Sequence, residues 1–209
     1  MVRKPLRSPR KTASQERSRQ TVKALLEATA RVLVREGYEK ASTNRIAAVA
    51  GVSIGSLYQY FPSKEALVAA VIERHKQEVM RLARDTIVTV AMRPIEAAAR
   101  EFVTGGIEAH RVNPELHRVL DEQVPRSEQL RNIEAIDPNI YSLVRGYLEA
   151  HRDELDAEDL DLAAFICVTV VEALTHAVVL QRPDLLNGKK SERFVDDVTR
   201  LLVRYLRKP

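Results

Sequence analysis

The sequence predicts an all-α fold, and three observations carry the prediction. Apolar residues recur at i, i+3, i+4 spacing through most of the chain. No stretch alternates apolar and polar residues as a half-buried strand must. Gly, Pro or a hydroxyl residue stands between the apolar runs, where helices stop and start. Hydrophobic residues make up 45% of the 209 and Trp is absent, so the core must be built from Leu, Val, Ile and Ala.

Residues 1–16, with Pro5, Pro9 and mostly basic or small side chains, hold too little apolar surface to fold alone and read as a mobile arm. An amphipathic helix follows from about residue 18, with Val22, Leu25, Leu26, Thr29, Val32 and Leu33 on one face, and ends near Gly37. Ser42 sits where an N-cap belongs, ahead of the short helix TNRIAAVA. Gly51 ends that helix and Ser53 caps the next. Pro62 and Ser63 then separate it from a long helix that begins at Lys64 and reaches about Arg84.

Further along, Pro94 opens a helix with Ile95, Ala98, Ala99, Phe102 and Val103 on one face. Asn113-Pro114 starts a short one. A longer one starts at PRSEQ, with a break predicted at Asp137-Pro138. Residues 160–180 are apolar on nearly every side, the pattern of a helix buried all round. On the last helix, Phe194, Val198, Leu201, Leu202 and Tyr205 form a strict stripe that needs a partner.

Charge narrows the function. Residues 1–64 carry 13 Lys/Arg against 4 Asp/Glu, whereas the whole chain is only +4, so one end is built to approach a polyanion. The basic N-terminus lacks the apolar run of a signal peptide. The apolar stretch 165–180 is short for a membrane span and is interrupted by Glu172 and His176, so a cytoplasmic protein without a membrane partner is expected. Cys167, the single cysteine, excludes an internal disulfide and reads as inert packing.

The stretch AAVAGVSIGSLYQYF answers to a helix-turn-helix. Ala47 is small where a second helix crosses, Gly51 accepts a left-handed turn, and Leu57 fills the core beneath the second helix. The exposed face of that helix is then Ile54, Gly55, Ser56, Tyr58, Gln59 and Tyr60, with no acid among them. Such a helix can lie in the major groove, where Gln and hydroxyl groups bond base edges and Ile meets a thymine methyl. Thr43 and Asn44 open the preceding helix on the same side, and Lys64 stands at the positive end of the following one.

These residues, GYEKASTNRIAAVAGVSIGSLYQYFPSKEAL from Gly37 to Leu67, resemble the DNA-binding domain of the TetR family of transcriptional regulators. The resemblance implies an all-α homodimer of about nine helices per subunit. A three-helix DNA-binding domain (17–63, after the arm 1–16) would be followed by a larger ligand-binding and dimerisation domain (64–209). By position, Thr43, Ser53, Tyr58 and Lys64 resemble phosphate-contacting sites, and Asn44, Ile54, Gly55, Ser56, Gln59 and Tyr60 match places where bases are read. Arg45 departs from the acidic or polar residue common there, so the reciprocal capping box with Ser42 is missing.

The family's bundle of four helices across a dimer makes 160–180 and 191–206 the dimerisation candidates, and their surplus of apolar surface agrees. The implied function is a repressor held on a palindromic double-stranded DNA operator and released by a small-molecule inducer. Phe102, Gly106, Leu116, Leu120, Leu143, Tyr147, Phe165, Thr169, Glu172 and His176, with Gly105, are the candidate inducer pocket. The two glycines point equally to a close helix contact or a cavity, and Glu172 and His176, one turn apart, are expected to be paired with each other or another group.

The rival class is a helical enzyme or separate ligand-binding protein using the His110/His117/Asp121 region, with Glu122 nearby. Their spacing matches no metalloprotease motif, and neither a nucleophile elbow nor a Gly-rich phosphate loop is present. A solvated helix face is the expected reading. No catalysis, metal or cofactor is expected.

Overall fold

The computed structural model describes residues 10–125 and 138–207, and all of its regular structure is helical. Nine α-helices are present among the described residues: α1 (Arg10–Lys40), α2 (Thr43–Ala50), α3 (Ile54–Tyr60), α4 (Lys64–Thr89), α5 (Ile95–His110), α6 (Pro114–Gln123), α7 (Pro138–Ala150), α8 (Leu160–Leu180) and α9 (Lys189–Leu206). The residues from Arg126 to Asp137, where the PRSEQ helix and its break were expected, lie outside the described residues, as do Arg3, Lys4 and Arg7 of the arm.

Helix α1 begins at Arg10, inside the stretch expected to be an arm. Its first turns are rich in Arg, Lys, Gln, Glu and Ala, which hold helical backbone without needing a buried face. Gly37 interrupts α1 with φ 78° and ψ 169°, a conformation that only glycine adopts readily.

The chain forms two compact units. The first comprises residues 1–73 with 119–125, and the second 74–118 with 126–209. The first unit extends into α4, where Leu67, Val68 and Val71 are fully buried, as are Leu25, Leu33, Ile46 and Leu57 in the same unit. The end of α6 returns to this unit. The amide of Tyr38 donates to Oε1 of Gln123 at 3.2 Å, and the same oxygen lies 2.8 Å from where a side chain on Gly37 would begin.

In the second unit, α5, α7, α8 and α9 share one apolar core with Ile87 of α4. Val103, Leu148, Ala163 and Leu202 are all but inaccessible in it. Helix α8 is long and apolar enough to cross a membrane, but ten of its residues, from Leu160 to Leu180, are buried here. It is not buried all round as its composition implied: Leu162 and Phe165 are more than half exposed. Apolarity on every side therefore reflects a second face that the core of one chain does not cover.

Candidate nucleic-acid interface and effector cavity

The helix-turn-helix is built by local rules. Ser42 caps α2 by accepting from the amide of Arg45 at 3.2 Å, so the cap forms without a reciprocal acid. The Arg45 side chain instead reaches back to Glu36 of α1 at 2.7 Å. Gly51 takes the left-handed conformation, φ 70°, and closes α2 onto the carbonyls of Ala47 and Ala48. Ser53 caps α3 through the amide of Ser56 at 3.1 Å. Ala47 and Leu57 are buried at the crossing.

The sequence-derived contact residues divide into two groups. Asn44, Ser53, Ile54, Gly55, Tyr58 and Gln59 are exposed, and Thr43 is half-buried with its hydroxyl 3.1 Å from that of Tyr58. Ser56 is half-buried, and its hydroxyl accepts from Ser53 at 2.9 Å, so it belongs to the cap.

Tyr60 departs from the expected exposed face. It follows Leu57 by three residues and so turns with it toward the interior, where its hydroxyl donates to Ser18 of α1 at 3.3 Å. Lys64 is also engaged within the unit. Its ammonium donates to the Tyr38 carbonyl at 3.1 Å and lies 4.0 Å from the centre of the Tyr38 ring. Sequence reasoning missed Tyr38 because its partners, Lys64 and Gln123, are remote in the chain.

In the second unit an apolar cavity of about 50 Å³ is lined by Ile87, Ala99, Phe102, Tyr147, Cys167 and Leu202, among others. Burial pushes the Cys167 thiol up to about 12. Burial, then Glu154, pushes Tyr147 up to about 12 as well, and its hydroxyl donates to the Arg93 carbonyl at 2.7 Å.

Of the expected pocket residues, this cavity brings together only Phe102 and Tyr147. Phe165 is on the surface, stacked on Tyr141 at 6.0 Å. Leu116 is buried away from the cavity lining, and Leu120, Leu143, Thr169, Glu172 and His176 are half-buried outside it. The glycines mark close packing. A side chain on Gly105 would meet Thr86 of α4 at 2.5 Å, and one on Gly106 would meet Thr175 and Val171 of α8 at 3.1–3.2 Å.

His110 and His117 are not on a solvated face. His110 is buried, and both meet His176 and each other with ring centres 5.0–5.4 Å apart. Asp121 and Glu122 are exposed. Spacing along the chain carries no signal for this grouping, because its three members come from three helices, α5, α6 and α8.

A family model for bacterial regulatory proteins of the tetR family matches residues 25–71, and one for a tetracyclin repressor-like C-terminal domain matches 94–206. The HTH-type transcriptional activator FasR of Mycolicibacterium smegmatis is 32% identical over 143 residues, 65% of each chain. Nucleoid occlusion factor SlmA of Actinobacillus pleuropneumoniae is 35% identical over 77 residues, 37% of this chain and 36% of that one. The chain thus spans less than two thirds of the length of either relative. A solved TetR-type regulator from Mesorhizobium loti superimposes with a TM-score of 0.73 at 17% identity, covering 92% of this chain and 99% of that one.

Proposed function

The chain belongs to the TetR family of transcriptional regulators, and from that premise we propose that it is a cytoplasmic, ligand-responsive repressor that grips a palindromic operator as a homodimer. One observation carries the reading: α3 presents Ile54, Gly55, Tyr58 and Gln59 to solvent with no acidic residue beside them. Gln59 reads a base edge, Ile54 meets a thymine methyl, and Thr43, Ser53, Tyr58 and Lys64 hold phosphates.

Dimerisation through α8 and α9 is supported by the apolar groups they leave outside the core. Leu162 and Phe165 on α8 and Leu201 and Tyr205 on α9 are each 39–53% exposed. Two linked reading heads convert weak half-site contacts into a useful affinity.

The effector is apolar, because the cavity around Phe102 and Tyr147 has almost no polar lining. Its volume is far below the roughly 300 Å³ of an ordinary small-molecule pocket, so the ligand must widen it. Opening it loads the end of α4, whose first turns belong to the first unit. Repression is relieved when the two heads no longer match successive grooves.

Selection of bound duplexes from a random pool at physiological salt tests the reading, with intact protein beside Gln59→Ala. One palindrome, altered by the variant at matching positions in both half-sites, is expected. No enrichment by the intact protein would refute operator recognition by α3.

A further inference from the structure

Four of the five histidines gather in the interior of the second unit. His75 comes from α4, His110 from the last turn of α5, His117 from α6 and His176 from α8. Ring centres are 5.0 Å apart for His75 and His117, 5.2 Å for His110 and His117, 5.4 Å for His110 and His176, and 5.0 Å for His117 and His176.

Polar rings collected in an apolar interior cost free energy unless something satisfies them. The ring nitrogens Nε2 of His75 and Nδ1 of His117 share a 2.8 Å hydrogen bond. Nδ1 of His110 is buried with no partner among the described residues. A buried ring nitrogen that no protein group satisfies is a position a Lewis acid can fill.

The spacing suits one. With metal–nitrogen bonds of about 2.0–2.1 Å, imidazoles around a tetrahedral ion stand about 5 Å apart centre to centre. An all-nitrogen donor set favours Zn²⁺ and its neighbours over Mg²⁺ or Ca²⁺, which take oxygen. The donors are not turned onto one point as they stand, since the His75–His117 hydrogen bond holds two of them against each other. Binding therefore requires that hydrogen bond to break and the rings to turn about Cα–Cβ and Cβ–Cγ.

We propose that His75, His110, His117 and His176 bind one divalent transition-metal ion of the Zn²⁺ or Co²⁺ class inside the second unit. His75 and His117 lie on α4 and α6, the helices that continue into the first unit. Occupancy therefore also bears on operator binding, a clause that rests on the function proposed above.

The full-length protein, stripped with chelator and freed of it, is titrated with Co²⁺ and then Zn²⁺. One Co²⁺ per chain is expected, with the visible absorption of tetrahedral nitrogen ligation, displaced by Zn²⁺. His110→Ala and His117→Ala should each weaken binding by about 100-fold or more. His151→Ala should leave it unchanged, because His151 is stacked on Tyr147 at 4.3 Å and stands apart from the four. Absence of stoichiometric binding, or binding that survives both cluster substitutions, overturns the site.

If those variants do not fold, the histidine ring resonances of the intact protein decide. Zn²⁺ must shift four sets and spare that of His151; any other pattern overturns the site. Operator affinity unmoved by Zn²⁺, with the Co²⁺ signature present, removes the regulatory clause alone. Failure of the random-pool selection removes the operator reading and leaves the metal site standing.

Discussion

The hydroxyls of Thr43 and Tyr58 lie 3.1 Å apart, joining the first turn of α2 to the exposed face of α3. The pair fixes the direction of a side chain that is 52% exposed and otherwise free to rotate. Tyr58→Phe should lower operator affinity about tenfold, the weight of one hydrogen bond to a charged group. The loss should be similar for all operator sequences, with the melting temperature unchanged. Fluorescence anisotropy on matched and mismatched duplexes checks it, and a double-mutant cycle with Thr43→Val should be non-additive.

Lys64→Ala should affect two properties where Tyr58→Phe affects one. The ammonium holds the Tyr38 carbonyl and ring as well as standing at the start of α4. Weaker operator binding should therefore come with a loss of about 1 kcal/mol in stability. Urea unfolding beside anisotropy separates the two effects. Unchanged stability would mean that the Tyr38 contact contributes nothing.

Gly37 and Gly51 both have positive φ, but only Gly37 has a neighbour where a side chain would start. Gly51→Ala should cost about 1 kcal/mol, from backbone strain alone. Gly37→Ala should cost more, because φ 78° with ψ 169° is open to glycine almost alone and the methyl group also meets Oε1 of Gln123. Truncating Gln123 to Ala in the Gly37→Ala background should recover little of the excess, as read from denaturation midpoints, because the backbone strain remains and the Tyr38 amide loses its partner.

Leu201→Glu with Phe165→Glu should convert the protein to monomers at micromolar concentration while leaving its helical content intact, since both side chains lie outside the core. Sedimentation velocity checks this. Operator affinity should then fall far more than the affinity for a half-site, because linkage between heads is lost.

Cys167 should be inert to thiol reagents at pH 8. Its thiol is buried and pushed up to about 12, so the reactive thiolate is essentially absent in the folded chain. One equivalent should react on unfolding in urea. Reaction at the native rate of a free thiol would show that the cavity opens spontaneously.

The helices and the reading head were legible because their signals are local. Ser42, Gly51 and Ser53 terminate or cap helices through partners three or four residues away, which periodicity and turn chemistry reveal. Tyr60 is half-buried where the sequence suggested an exposed ring, because a seven-residue helix has too few turns to define its inward face without knowing that Ser18 lies opposite. The histidine group and the Lys64–Tyr38–Gln123 contacts are tertiary. Residues such as His110 and His117 show helical spacing that suits a wet face or a buried one equally, and only the packing of α4 and α8 decides between them.

The first unit is assembled from two stretches of chain, since residues 119–125 return to it and Gln123 closes over Gly37. During synthesis the nascent reading head must wait for that second stretch. At ordinary translation rates the delay is on the order of seconds, during which the amide of Tyr38 lacks its carboxamide partner. A gene fragment ending after α4 would encode the recognition residues and still leave their scaffold unfinished. Whoever expresses the head alone should carry the α6 terminus along, grafted or supplied as a peptide.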